Sequence, residues 1–152
     1  MDDAIATAAE AVEAEALPRK IDLHTEESAP QNGPLPEAVT SKPVTQKSPA
    51  EWAHERLVLY LQAFEQQLDN EHEVAMGFAG GEAGVLRIEG LGYFDPDIVT
   101  FYGTDPSGAR MQLIQHVSQL SVVLRAMPKE VEQEEPRRIG FRLAADLGKE
   151  NS

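Results

Sequence analysis

Ile98-Val99-Thr100-Phe101-Tyr102-Gly103-Thr104-Asp105-Pro106-Ser107-Gly108-Ala109-Arg110-Met111-Gln112-Leu113-Ile114-Gln115 is the stretch that decides the fold. Its first five residues are β-branched or aromatic, which suits a pleated, half-buried surface. Asp105-Pro106-Ser107-Gly108 matches a type I turn, with Pro second and Gly fourth. Arg110–Gln115 then reads as a return strand. A connection this short joins antiparallel neighbours and leaves no room for a crossover helix.

The same reading extends upstream. Val74-Ala75-Met76-Gly77-Phe78 predicts a strand, and Gly80-Gly81 a tight turn. In 84–89, Leu86 and Ile88 alternate with Arg87 and Glu89, so one face should be buried. Gly90 and Gly92 suggest a bend or bulge before Tyr93-Phe94, and Asp95-Pro96-Asp97 a turn. Before the strands, Ser48-Pro49-Ala50-Glu51 has the form of a helix start, with Ser48 as cap and Pro49 at the first helical position. The helix is expected to run to about Asn70 with Trp52, Leu59, Tyr60 and Phe64 on its apolar face. Glu51, Glu55, Glu65 and Asp69 mark its wet side. Downstream, Val117, Leu120, Val123, Leu124 and Met127 predict a second helix over 117–127, ended by Pro128. Ile139, Phe141 and Leu143 alternate with Arg138, Gly140 and Arg142, which predicts a last strand over 137–143. The fold class is α+β: a mostly antiparallel sheet with two helices packed on one face, in the order α-β-β-β-β-α-β.

The chain divides unequally. Every aromatic lies between Trp52 and Phe141. Residues 1–48 hold five of the ten prolines and nine acidic against four basic side chains, so this leader is expected to stay disordered. Within it, 3–17 is built of helix formers, with Ile5, Ala8, Ala9, Val12 and Ala16 at helical spacing. Residues 49–144 are expected to form one domain, and 145–152 a disordered tail.

Composition excludes several function classes. Without cysteine, the 152 residues hold no disulfide, thiol nucleophile or Cys-ligated metal site. A formal net charge of −13 disfavours nucleic acid as a partner, because such affinity rests on Lys and Arg meeting phosphates. No apolar run approaches the ~18–20 residues of a membrane span. The first residues lack a secretory pattern, so the cytoplasm is the expected compartment and no membrane partner is expected.

The candidate chemistry is thin. His116 stands where the fourth strand hands over to the next element, and it forms a speculative polar or ligand site with Gln115, Gln119 and Tyr93. The competing reading has His116 satisfying free N–H groups at the helix start. His54 and His72 lack the spacing of a helical zinc pair, and Asp95-Pro96-Asp97 lacks the ligands of a calcium loop. Asp105 should lie at the opposite rim from Asp95 and Asp97, about five residues or roughly 17 Å away. The glycines from Gly77 to Gly92 carry neither a phosphate-loop nor a dinucleotide motif. Arg138 and Arg142 would guard an edge strand, paired with Glu130, Glu132, Glu134 and Glu135. No catalytic residue, metal ligand or cofactor is assigned.

Gly92-Tyr93-Phe94-Asp95-Pro96-Asp97, Leu113-Ile114-Gln115-His116-Val117-Ser118-Gln119-Leu120 and Arg138-Ile139-Gly140-Phe141 resemble a family of small bacterial proteins, common in alphaproteobacteria, that carries only a domain-of-unknown-function label. The resemblance covers about Pro49 to Leu143. It implies a single domain behind a variable leader and implies no chemistry. The expectation from the residues is a non-enzymatic interaction or adaptor module acting through protein–protein contacts. A second copy of the chain is among the candidate partners. The alternative is a ligand-binding or enzymatic domain with a pocket near His116.

Overall fold

The computed structural model describes residues 35–78 and 84–150, together with Leu17 and Arg19. The expected helix over 3–17 and the Gly80-Gly81 turn fall outside the described residues, apart from Leu17. The element order is α1 (Glu37–Thr40), a 3₁₀ turn (Val44–Gln46), α2 (Pro49–Glu65), β1 (His72–Phe78), β2 (Val85–Phe94), β3 (Ile98–Thr104), β4 (Arg110–His116), a second 3₁₀ turn (Val117–Gln119), β5 (Val122–Pro128) and α3 (Ile139–Glu150). The five strands form one sheet in the order β4-β3-β2-β1-β5, and every pairing is antiparallel. The protein is α+β, with the two long helices packed on each other and on the sheet face that carries the core.

The helix start is as the sequence indicates. Ser48 Oγ accepts from the Glu51 N–H at 3.0 Å, and Pro49 occupies the first helical position. Leu61, Met76, Ile88, Val99 and Phe101 form the fully buried centre between helices and sheet. Each such side chain contributes on the order of 1.5–3 kcal/mol by leaving water.

From α2 through β4 the order of elements follows expectation; two later features and the edges of the domain do not. The helical segment from Val117 is one 3₁₀ turn, not a helix to Met127. The chain then extends into β5, which pairs with β1 along its whole length, from His72↔Pro128 to Phe78↔Val122. Both periodicities fit these apolar residues. The backbone groups of β1 decide between them, because they would otherwise lie unpaired beside the core. The strand expected over 137–143 is instead the first half of α3. Ile139 and Leu143 suit either reading, but Leu147, 3% exposed, extends the i, i+4 stripe into the expected tail.

The third difference is at the domain edges. Residues 35–48 pack onto α2, with Val39 fully buried, and the helix α3 continues past the expected boundary to Glu150, burying Leu147. Glu55 and Glu65, placed on the wet side by their charge, are 3% and 2% exposed. Glu55 Oε2 meets Lys47 Nζ at 2.5 Å, and the same ammonium donates to the Val39 carbonyl. Glu65 Oε1 accepts from the Phe141 N–H at 2.9 Å and so caps α3 from 76 positions away in the chain. Lys47 and Glu55 are thus paired as burial requires, and Glu65 is satisfied through Oε1 alone, its Oε2 having no hydrogen-bond partner among the described residues.

Two glycines are set by contact. β2 shifts register between Ile88 and Gly90, and a Cβ on Gly103 would stand 2.1 Å from the Arg87 carbonyl oxygen. A Cβ on Gly140 would lie 2.6 Å from the Gln62 nitrogen and 2.7 Å from the Leu61 carbonyl carbon, so α3 crosses α2 at this residue.

Candidate functional site

The four residues of the speculative polar site divide between two faces of the sheet. His116 Nδ1 accepts the Ser118 N–H at 3.1 Å, which leaves the proton on Nε2, 3.1 Å from Asp97 Oδ2. Gln119 Oε1 accepts the His116 N–H at 3.1 Å, completing a capping box around the 3₁₀ turn. Gln115 and Tyr93 both stand opposite Val99, on either side of it, on the face away from His116. The Tyr93 ring packs on His54 with centroids 5.2 Å apart, and His54 Nε2 donates to the Leu91 carbonyl at 3.3 Å. The geometry therefore joins His116 to Gln119 and separates both from Gln115 and Tyr93.

Ser118 Oγ lies 2.8 Å from His116 Nδ1, so Ser118, His116 and Asp97 form a line with the outward form of a hydrolytic relay. Its chemistry differs from that of a relay. Nδ1 already accepts a backbone N–H, and the imidazole and the Asp97 carboxylate are 45% and 41% exposed. In water the Asp97 charge is screened and cannot hold the ring as a buried carboxylate does. The network instead ties the turn before β3 to the end of β4, and Val117 N–H donates to the Asp97 carbonyl at 2.9 Å in the same tie.

Asp95, Asp105, Arg137 and Arg138 have structural partners. Asp95 bonds the helix cap Ser48. Asp105, after β3, accepts from the N–H groups of Ser107 and Ala109 at 2.9 Å each. Arg138 does not guard an edge strand; its guanidinium donates to the carbonyls of His72 and Asp69 at 2.7 and 2.8 Å. Arg137 lies 3.7 Å from Glu73, and its ion pairs are with Glu73 and Glu89 rather than with the acidic loop. Arg142 lies in the first turn of α3 and is exposed. Among the described residues no three His, Asp or Glu side chains converge as metal ligands.

The concave apolar surface lies elsewhere. Leu57 and Tyr60 on α2, with Leu120, Val122 and Leu124, wall a shallow cavity of about 270 Å³ beside β5. Leu120 also walls a second hollow of about 390 Å³ that reaches Trp52 and Arg56. Trp52, Arg56 and Tyr60 share a third, of about 230 Å³, with Leu35, Val39 and Arg19. The three hollows lie side by side along α2, and the one beside β5 forms an apolar trough. Trp52 lies between two cations, with Lys47 Nζ 4.9 Å and the Arg56 guanidinium 4.6 Å from its ring centre. Tyr60, on the rim, is 58% exposed.

Sequence reading missed this trough because it counted Tyr60 as core and β5 as helix. One available signal was Val122-Val123, a β-branched pair that favours strand. β5 ends the sheet, so one side of its backbone has no strand partner among the described residues, and it borders the trough through Val122 and Leu124.

The fold is thus that of a small α+β domain whose antiparallel sheet ends, among the described residues, on β4 and β5. By sequence the chain belongs to a family of unknown function, DUF6173, whose model matches residues 43–142. No curated protein and no solved structure matches it. No helix among the described residues is long and apolar enough to cross a membrane.

Proposed function

We propose that this chain is a non-enzymatic interaction module that takes an extended segment of a partner protein onto the free edge of β5. The observation that carries this reading is the conjunction of that edge with the apolar trough walled by Leu57, Tyr60, Leu120, Val122 and Leu124. An added strand would gain main-chain hydrogen bonds from β5. Its alternate side chains would enter the trough, and that alternation supplies specificity. Arg125 is the middle residue of β5 and its only charge, so a partner strand with a carboxylate opposite it is favoured.

The test is selection of displayed peptides on the full-length chain. Enriched peptides should alternate apolar residues and carry Asp or Glu near their centre. Their binding should fall at least tenfold on Leu124→Glu or Arg125→Glu, with the fold checked by circular dichroism. No enrichment, or enriched peptides that bind these folded variants as well as the parent, would overturn the proposal. So would binding abolished only by His116→Ala.

A further inference from the structure

We infer that the opposite edge strand, β4 (Arg110–His116), pairs antiparallel with β4 of a second copy of this chain, joining two sheets across a two-fold axis at Leu113. This inference is independent of the β5 reading, because it concerns the other edge of the sheet.

Natural edges are usually guarded by Lys, Pro, a bulge or an inward charge. β4 lacks these guards. Its pairing with β3 is regular from Ile98↔His116 to Thr104↔Arg110, and its one formal charge, Arg110, stands at its end. Among the described residues the layer above is also incomplete there. The helices lie over β1, β2 and β3, and Met111 and Leu113 remain only partly buried. On the outer face Ile114 is 60% exposed, and Tyr102, opposite Gln112 on β3, is 42% exposed. Apolar groups thus flank both sides of an open edge.

Register selects the partner. Pairing of a seven-residue antiparallel strand with its own copy along its full length, which satisfies the most backbone groups, places its middle residue on the axis. In β4 that residue is Leu113. The axis then sets Gln112 against Ile114, Met111 against Gln115, and Arg110 against His116, with no like formal charges opposed. In β5 the same operation sets Arg125 against Arg125, which is destabilising. Self-pairing therefore fits β4 and not β5.

The chain has no cysteine, so introduced thiols report contacts without background. Residues directly opposite have Cα atoms about 4.5–5.5 Å apart, inside the range a disulfide spans. Gln112→Cys and Ile114→Cys both change exposed positions. Mixed and oxidised, the two full-length variants should cross-link at least tenfold more than either alone, because position 112 meets 114 across the axis. Val123→Cys on β5 should stay uncross-linked, and light scattering of the parent should give twice the mass of one chain. A single-chain mass at 100 μM, or equal cross-linking of the mixture and the separate variants, would overturn the inference.

Discussion

Gly140→Ala separates what helix propensity says from what the packing says. Position 140 lies in the first turn of α3, and in an exposed helix the change should stabilise by about 1 kcal/mol. Here the added methyl would stand 2.6 Å from Gln62 N, 2.7 Å from the Leu61 carbonyl carbon and 2.8 Å from Glu65 Oε1. The first two are backbone atoms of α2 and cannot rotate away, so α3 must retreat by most of an ångström. Overpacking of this kind costs typically 1–3 kcal/mol. The retreat also loosens the Glu65 cap, which is worth about 1 kcal/mol. Less the propensity gain, the net loss is about 2 kcal/mol, or on the order of 10 °C in Tm for a domain of this size. Trp52 is the only tryptophan, so its fluorescence can follow urea or thermal unfolding. Ala145→Gly, at an exposed position on the same helix, is the companion variant and should cost about 1 kcal/mol through propensity alone. A Gly140→Ala protein as stable as the parent would refute the close crossing of α2 and α3.

Burial raises the Glu65 carboxyl above its ordinary range despite the backbone N–H groups it caps. A carboxyl whose pKa is raised on folding holds its proton more tightly in the native state. Its contribution to stability therefore grows as pH falls through the raised value, and is complete below the unfolded value near 4.3. Glu65→Gln, which keeps an acceptor oxygen, should flatten that part of the stability profile in denaturant titrations from pH 7 to 5. Asp69 and Asp105, held below the usual carboxylate range by side-chain bonds from His72 and Ser107, act in the opposite sense at lower pH. The parent–variant difference isolates Glu65 from both. Lys47→Met strands the buried Glu55 carboxylate and should cost about 3–5 kcal/mol by urea unfolding, whereas the double change Lys47→Met/Glu55→Leu should recover most of it.

Legibility in the sequence followed the range of the interactions. Ser48-Pro49 announced α2 because its cap bonds three residues away, and Asp105-Pro106-Ser107-Gly108 announced its turn because Gly108 N–H bonds Asp105 O within it. α3 was misread because no capping side chain precedes Ile139. Its cap is Glu65, which the chain brings there only through the packed fold. β5 was misread because Val117–Met127 suits two periods, and the choice belongs to the open backbone of β1, more than forty positions upstream. Residues 35–48 read as leader because their one buried cation, Lys47, finds its counter-ion on α2. Of the site, the capping role of His116 was visible as one of two readings. The trough was not, since it needs Tyr60 on a rim and β5 as a strand.

Amide hydrogen exchange along Val122–Met127 in the free full-length chain is the most direct test of an open β5 edge. An open edge strand bonds β1 through every other amide and leaves the alternate ones to solvent. Slow and fast exchange should alternate residue by residue from Val122 to Met127. Uniform protection across these residues, as a helix or a strand covered on both sides would give, would contradict it.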